Sequence, residues 1–183
     1  MDEFYTLRVA GLTRRLPKIK ISDKLAIASF VMLGDTELVE KAACAIYEHP
    51  DFPRYTIDIL VCPEAKAIPL TQVLANLLHV NYIVARKSVK SYMKDPVVES
   101  VKSITTAGEQ QLVLDGCDVE KIRGRNVCIV DDVVSTGGSI KALEGLLLKT
   151  GCRVVAKTAV LLEEAGYAGG DLVYLEKLPI FPL

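Results

Sequence analysis

The sequence predicts an α/β fold with a mostly parallel central sheet flanked by helices. Short apolar runs, typical of buried strands, alternate along the chain with segments whose apolar residues recur at helical spacing. Polar and glycine-rich stretches come directly after these strands, where ligands bind in sheets of this kind. Because the chain has 183 residues, of which 50% are hydrophobic, we expect one domain, residues 1–183, with a substantial core.

The first part of the chain predicts two short strands and a helix. Residues 5–10 and 17–30 have strand-like content, and we expect the basic stretch Thr13-Arg14-Arg15 to form the turn between them. Asp35 and Thr36 are both suitable N-caps for the helix that follows. The helix residues expected to face the core are Leu38, Val39, Ala42, Ala43 and Ile46.

The rest of the chain alternates between strands and helices. Residues 99–105 and 110–114 are expected to pair as a hairpin across Ala107-Gly108. Further helices are predicted at residues 70–78 and 140–149. Further strands are predicted at residues 56–62, 82–85, 127–130, 154–162 and 172–175.

Charge, hydropathy and cysteine content narrow the function classes. The net charge is -1, from 22 basic and 23 acidic residues, without the basic excess that is typical of nucleic-acid binding. The N-terminal stretch lacks the features of a signal peptide, and no apolar run approaches the length of a membrane span. The five cysteines are not spaced as close pairs, so we expect small buried residues in a reducing compartment. We therefore expect a cytoplasmic protein that binds neither nucleic acid nor membrane.

One stretch, VCIVDDVVSTGGSI from Val127 to Ile140, combines the parts of a ligand site. An apolar strand runs into two adjacent acids, Asp131 and Asp132, and then into a small polar loop before a helix. The loop, Ser135–Ser139, offers free amides and hydroxyls at a helix N-terminus, which suits a phosphate. The acids suit a sugar diol or a hydrated divalent cation beside it. A solvated acid pair before an ordinary turn is the alternative, but the complete arrangement favours a ligand.

The same stretch resembles the motif that binds phosphoribosyl pyrophosphate (PRPP) in type I phosphoribosyltransferases. The resemblance extends from about residue 36 to the end of the sequence and is greatest to adenine phosphoribosyltransferases and their relatives. It implies the fold of that family, with residues 1–35 contributing a small hood. It also implies that Asp131 and Asp132 bind the ribose hydroxyls of PRPP. The residues implied to bind the 5′-phosphate are Ser135, Thr136, Gly137, Gly138 and Ser139.

A second loop, Glu64-Ala65-Lys66-Ala67, resembles the pyrophosphate loop of the family, where adenine enzymes tend to have Glu-Ala-Arg-Gly. Lys66 keeps the positive charge but lacks the bidentate guanidinium, and Ala67 stands in place of glycine. Arg86 and Lys87 resemble a basic pair of the adenine enzymes, and with Lys90 they are implied to bind pyrophosphate. The residues implied to act in catalysis are Asp131, Asp132, Lys66 and Arg86.

The sequence departs from the pattern of the adenine enzymes at two places, in the hairpin after the closing loop and in the N-terminal region. The polar segment Ser88–Lys102 resembles the flexible loop that closes over PRPP. The hairpin after it carries Thr106-Ala107-Gly108 where adenine enzymes have Glu-Tyr-Gly, so a catalytic carboxylate is missing there, although Glu109 is adjacent. The N-terminal region also lacks the Phe-Pro-x-Pro-Gly and Phe-Arg-Asp strings of those enzymes. The donor side of the reaction is therefore better matched than the purine side.

These observations predict a Mg²⁺-dependent purine phosphoribosyltransferase of purine salvage, with adenine as the favoured acceptor. The metal is expected to be held mainly by PRPP, and the resemblance implies a homodimer. The alternative is a PRPP- or nucleotide-binding regulatory protein with little or no transferase activity. Transfer to orotate is a third possibility, because Asp132–Ser139 also resembles orotate enzymes, although the rest of the chain fits those less well.

Overall fold

The computed structural model describes residues 3–101 and 110–183, which form eleven strands and four helices. The strands are β1 (Phe4–Val9), β2 (Leu12–Ser22), β3 (Leu25–Ala28), β4 (Ile59–Pro63), β5 (Asn81–Ala85), β6 (Val97–Val101), β7 (Gln110–Leu114), β8 (Asn126–Val134), β9 (Arg153–Glu163), β10 (Leu172–Leu178) and β11 (Ile180–Pro182). The helices are α1 (Thr36–Glu48), α2 (Ile68–Leu78), α3 (Gly116–Ile122) and α4 (Gly138–Leu148).

A five-stranded parallel sheet forms the centre of the molecule, in the order β10-β9-β8-β4-β5. Helices α1 and α2 cover one face of this sheet, and α3 and α4 cover the other. Neighbouring residues of one strand therefore enter different cores: Leu60 packs on the α1 side and Val61 on the α4 side. Such alternation is what strands buried on both faces require. The predicted α/β fold with a mostly parallel sheet is confirmed.

Most of the predicted elements are confirmed, and their ends differ by a few residues. The single strand predicted at residues 17–30 is wrong, because this stretch forms the end of β2 and then β3, which pairs with it in antiparallel fashion. Asp35 caps α1, because its carboxylate accepts a hydrogen bond from the Leu38 amide at 3.1 Å. All five residues of this helix that were expected to face the core are buried. The predicted pairing is confirmed, since β6 and β7 pair in antiparallel fashion, whereas the predicted turn at Ala107-Gly108 lies outside the described residues. The sequence patterns do not predict α3, since its seven residues are too few to show a helical period.

The antiparallel N-terminal sheet, in the order β1-β2-β3-β11, differs from the prediction in where it turns. The predicted turn at Thr13-Arg14-Arg15 is wrong, since these residues lie inside β2. The chain turns at Ala10-Gly11 instead, where φ is 50° and 74°, as a two-residue hairpin between twisted strands needs. Arg14 therefore lies on β2, where its guanidinium pairs with Asp35 and Glu37, each at 2.7 Å. These ion pairs join the N-terminal sheet to the start of α1.

The last strand of the chain completes the N-terminal sheet. Strand β11 pairs with β3 in antiparallel fashion, with Phe181 opposite Ala26. The centre of the Phe181 ring lies 5.8 Å from the centre of the Tyr5 ring. The Lys18 ammonium lies over the face of the Phe181 ring, 4.3 Å from its centre. This sheet is therefore built from both ends of the chain, which no local pattern in the sequence predicts.

All five cysteines are free thiols. Cys62 and Cys128 are buried, as predicted, whereas Cys44 and Cys117 are exposed, because they lie on the outer sides of α1 and α3. In the part of the chain that the structure describes, no helix is long and apolar enough to cross a membrane.

Candidate functional site

The strand order places a cleft between β4 and β8. The chain leaves β4 toward β5 on one side and returns to β8 on the other, and such a reversal opens a crevice at the carboxyl ends of the strands. Strand β8 pairs with β4 only as far as Ile129 but with β9 as far as Val134. The two strands separate beyond Ile129 and leave a cleft of about 400 Å³. Its lining residues are Pro63, Glu64, Ala65, Lys66, Lys87, Gln111, Leu112, Asp131, Asp132, Val133 and Ser139.

The adjacent acids lie inside a strand rather than after one. The predicted strand ends at Val130, whereas β8 continues to Val134, because its pairing with β9 continues there with Asp131 opposite Ala159. Asp131 and Asp132 are both buried, with 7% of their surface exposed. The Asp132 amide donates to Asp131 Oδ1 at 2.9 Å. Asp132 Oδ2 is buried and has no hydrogen-bond partner in the described structure.

Burial and charge repulsion make Asp131 hold its proton unusually tightly. Burial raises the pKa of Asp131 well above its usual value, the neighbouring Asp132 carboxylate adds to the rise, and the positive charge of Lys66 opposes it. A cation or a hydroxyl donor that enters the cleft would relieve this electrostatic cost. The oxygen of Asp132 without a partner calls for the same kind of ligand, a divalent cation or the hydroxyls of a sugar.

The loop Ser135–Ser139, called the anion loop below, leads into α4. Gly137 is the N-cap residue, with a φ of 84°, a left-handed conformation that glycine adopts without strain. Thr136, Gly138 and Ser139 are exposed, and Ser135 is half-buried. The first amides of α4, an 11-residue helix, are therefore available to an anion. Ser139 also lines the cleft, so the loop adjoins the acid pair at one end of the cleft.

The loop after β4 brings Lys66 to the cleft. Lys66 is exposed and lines the cleft next to Ala65, which follows a cis peptide bond from Glu64. Ala67 caps α2 with a φ of -80°, which is open to any residue, so the alanine in place of glycine causes no strain. Ala67 is buried, and its carbonyl accepts a hydrogen bond from the Thr71 hydroxyl at 2.8 Å. Ala67 therefore fastens the loop to α2.

Glu64 organises the basic stretch after β5. Its carboxylate accepts a hydrogen bond from the Lys87 amide at 3.0 Å and lies 3.4 Å from the Arg86 guanidinium. The hydrogen bond from the Lys87 amide lowers the pKa of Glu64, and the positive charge of Arg86 contributes. An ionised carboxylate has no proton to donate to pyrophosphate. The structure therefore places Glu64 as a partner of the basic residues.

The three basic residues after β5 do not gather in one place. Lys87 lines the cleft, whereas Arg86 lines a neighbouring cavity of about 200 Å³. The Arg86 Nε is buried and, within residues 3–101 and 110–183, has no hydrogen-bond partner. The Lys90 ammonium donates to the Ser88 hydroxyl at 2.7 Å. In this arrangement Lys66 and Lys87 are the lysines that share the cleft with the acid pair.

The last part of the predicted closing loop is a strand. Residues 97–101 of the segment Ser88–Lys102 form β6, which pairs with β7. The Lys149 ammonium, at the end of α4, donates to the Val98 carbonyl at 2.8 Å and holds β6 against that helix. Three valines in this short stretch favour a strand. The described part of this segment that remains as a candidate closing loop is therefore residues 88–96, and Lys102 lies outside the described residues.

Three further residues line the cleft that are not among the predicted site residues, namely Gln111, Leu112 and Val133. Two of them belong to β7, which follows the stretch Thr106–Glu109 with the predicted departures, and that stretch lies outside the described residues. Strand β7 reaches the cleft because Arg86 and Val113 exchange two backbone hydrogen bonds of 2.8 Å. A contact between such distant parts of the chain leaves no local signal.

A larger cleft, of about 1170 Å³, lies at the amino ends of β4 and β5. Its lining includes Asp58, Asn76, His79 and Arg125, and none of the residues predicted to bind or to react. Because ligands of such sheets bind at the carboxyl ends of the strands, the cleft between β4 and β8 is the candidate site.

Comparisons with known proteins agree on one family. A family model described as a phosphoribosyl transferase domain matches residues 34–173. A hypoxanthine/guanine phosphoribosyltransferase of Methanotorris igneus is 33% identical over 141 residues, which cover 76% of this chain and 70% of the relative. An adenine phosphoribosyltransferase of Mycobacterium avium is 31% identical over 177 residues, 96% of this chain and 91% of the relative. The crystal structure of the adenine phosphoribosyltransferase of Thermoanaerobacter pseudethanolicus aligns with a TM-score of 0.71 at 20% identity, over 88% of this chain and 95% of that one.

A parallel sheet whose switch point carries an anion loop is typical of α/β enzymes that act on phosphorylated ligands. The family model and the two relatives make this class specific. The chain belongs to the phosphoribosyltransferase family, and its fold is the type I fold of that family. The predicted membership and the predicted transferase class are confirmed.

Proposed function

We propose that this chain transfers the 5-phosphoribosyl group of PRPP to a ring nitrogen of a free purine, with adenine as the favoured acceptor. The observation that carries the proposal is the buried acid pair, with one oxygen unpaired, directly before an anion loop. PRPP combines a phosphate, a ribose diol and a pyrophosphate, which match the loop, the acids and the two lysines of the cleft. The relatives are named as purine enzymes, and the one that matches nearly the whole chain is an adenine enzyme.

In the proposed reaction, the bond between ribose C1′ and the pyrophosphate oxygen breaks as the purine nitrogen bonds to C1′. Pyrophosphate leaves with the bonding electrons, and the purine nitrogen releases its proton to water. Lys66 and Lys87 stabilise the negative charge that develops on pyrophosphate, and the acid pair holds the ribose hydroxyls. The proposed catalytic role of Arg86 requires its side chain to turn from its cavity toward the cleft. Glu64 and Lys90 support this basic stretch.

Mg²⁺ is proposed to enter the cleft with PRPP. Among the residues that the structure describes, no cluster of three or more His, Cys, Asp or Glu side chains would hold a metal by itself. The unpaired Asp132 oxygen fits a hydrated cation. Asp131 and Asp132 are therefore the residues proposed to hold the metal, through water or through the ribose hydroxyls. When bound, Mg²⁺ neutralises negative charge on the pyrophosphate.

The purine side of the site is proposed to be formed by residues 1–35 together with β11. These segments form one antiparallel sheet beside the central one, and we propose that it acts as the hood within a single domain of residues 1–183. We also propose a homodimer, on the strength of the family resemblance. A sedimentation mass of one chain, 20.0 kDa, would contradict the dimer.

The test of the proposed function is pyrophosphate release. The purified protein is incubated with PRPP, Mg²⁺ and, in separate reactions, adenine, hypoxanthine, guanine, xanthine, uracil or orotate. We expect release with purines, fastest with adenine. Release with orotate alone would support the orotate alternative. Tight PRPP binding without turnover on any base would support the regulatory alternative, which the substitution Thr106-Ala107-Gly108 motivates.

A further inference from the structure

The loop between β9 and β10 places Tyr167 against the anion loop. A methyl group built on Gly137 would overlap the Tyr167 ring. The three atoms nearest to this methyl group all belong to Tyr167, and one of them, Cε2, would lie 2.7 Å from it. A methyl group on Gly138 would meet only the Thr136 hydroxyl, at 3.9 Å. The Tyr167 ring is therefore the group that packs on the N-cap of α4.

Tyr167 also packs against Gly169 of its own loop. A methyl group built on Gly169 would overlap the Tyr167 hydroxyl and would lie 2.7 Å from its Cε1. The ring therefore lies between two positions that both lack a side chain. The hydroxyl donates to Asp171 Oδ1 at 3.4 Å, which is long for a hydrogen bond between oxygens. The position of the ring thus depends more on packing than on the hydroxyl.

An ion cluster around the buried Lys157 fastens this loop to α4. The Lys157 side chain is 10% exposed, and its ammonium pairs with Asp171 of the loop at 2.8 Å and with Glu144 of α4. Burial opposes the charge of Lys157, but the hydrogen bonds to Asp171 and Glu144 raise its pKa, so the ammonium is charged at neutral pH. The loop that carries Tyr167 is therefore tied to the helix whose first turn forms the anion loop.

We propose that Tyr167 is a positioning residue for the 5′-phosphate, because its ring holds Gly137 in the conformation that directs the first amides of α4 at the anion. Glycine permits this conformation, but it does not enforce it, since glycine is the residue with the greatest backbone freedom. A ring packed on the backbone restricts that freedom before the ligand arrives. Tyr167 is not among the residues that line the described cleft, so its effect is expected on binding rather than on the chemical step. This inference rests on the proposed function.

The test compares two ligands of the cleft: ribose 5-phosphate, which has a 5′-phosphate, and Mg-pyrophosphate, which does not. Calorimetry measures the binding of ribose 5-phosphate and of Mg-pyrophosphate to the wild type, Tyr167→Phe, Tyr167→Ala and Gly169→Ala. We expect Tyr167→Ala to weaken ribose 5-phosphate ~10-fold or more and to leave pyrophosphate unchanged. In turnover, KM for PRPP rises while kcat and KM for the purine stay close to the wild type. Tyr167→Phe keeps the ring and is expected to behave like the wild type.

Gly169→Ala is the second variant, because it displaces the ring without touching the anion loop. It is expected to weaken ribose 5-phosphate as Tyr167→Ala does, and the double variant Gly169→Ala/Tyr167→Ala is expected to be no worse than Tyr167→Ala alone. Unchanged ribose 5-phosphate binding in Tyr167→Ala, or equal losses for both ligands, would overturn the inference. A Tyr167→Phe protein as weak as Tyr167→Ala would overturn it as well. A wild type that binds neither ligand would instead refute the proposed function.

Discussion

The two larger sheets of this molecule are built in different ways. Four strands of the central sheet, β4, β5, β8 and β9, and all residues that line its cleft lie inside residues 34–173, which the family model matches, and β10 begins there. The N-terminal sheet combines β1, β2 and β3 with β11, and all four strands lie outside those residues. The part proposed to bind PRPP is therefore the part that the family model describes. The part proposed to receive the purine lies outside the stretch that this model matches.

The two sheets also differ in how they are held. The central sheet is covered by helices on both faces, whereas the N-terminal sheet buries one side, with Leu7 and Leu16 in the core, and leaves Ile19 and Ile21 about half exposed. It shares that apolar core with α1, and the Arg14 ion pairs add a polar attachment to the same helix. Substitutions in the cleft should therefore change ligand affinity, and substitutions at the attachment should change stability. The following four predictions test this separation, from the largest expected effect to the smallest.

The largest effect is expected from the double substitution Asp131→Asn/Asp132→Asn. It removes both charges from the ribose and metal position, and we expect PRPP affinity in the presence of Mg²⁺ to fall ~100-fold or more, since each charged hydrogen bond contributes about 1.5–3 kcal/mol. The protein should remain folded, because the acid pair is an electrostatic cost in the unliganded state. Calorimetry and circular dichroism measure the two outcomes. Unchanged PRPP affinity in a folded double variant would refute the assigned role.

A smaller loss is expected from Lys66→Ala. Lys66 is exposed and lines the cleft, so its removal should weaken pyrophosphate binding ~10-fold and leave ribose 5-phosphate unaffected. Lys66→Arg restores the charge and is the matched control, which should recover most of the affinity. If Lys66→Ala weakened both ligands to the same degree, the cleft would not contain separate sites for the two groups.

A pH-dependent gain in stability is expected from Asp131→Asn without ligand. Because the folded pKa of Asp131 lies above its unfolded value of 3.8, its contribution is most favourable below that pH and is lost as pH rises through the folded pKa. An asparagine does not ionise, so the variant should melt above the wild type at pH 8, with a difference that shrinks toward pH 4. Asp23→Asn, whose side chain is 99% exposed, is the control. A difference that grows toward acid pH would contradict the sign.

The smallest effect is expected at the attachment of the N-terminal sheet. Asp35→Ala removes the cap of α1 and the partner of Arg14. The lost cap alone should cost about 1 kcal/mol, or about 2–4 °C in melting temperature for a chain of this size. Glu37→Ala, which removes an exposed ion-pair partner, should change little. PRPP affinity should be the same in both variants, and a loss of affinity in Asp35→Ala would show that the two regions are coupled.

Local patterns predict the parts of the fold that local forces decide. The cap at Asp35 and the buried face of α1 follow from side-chain chemistry and from the period of the helix. The sequence pattern does not predict the hairpin turn at Ala10-Gly11, because the polar stretch Thr13-Arg14-Arg15 has the more turn-like composition. In a sheet that is buried on one side, however, alternate residues of a strand are free to be polar.

The site divides in the same way. The succession of an apolar strand, two acids, a loop with two glycines and a helix is a local arrangement, and the sequence alone predicts it. Only the tertiary structure places the acids within β8 and, because β4 ends its pairing with β8 at Val61, lets them line the cleft. It also decided that Lys87 shares the cleft while Arg86 does not, and that Tyr167 packs on Gly137. These outcomes depend on strand pairing and packing between residues far apart in the chain, and such contacts leave no trace in the spacing of neighbouring residues.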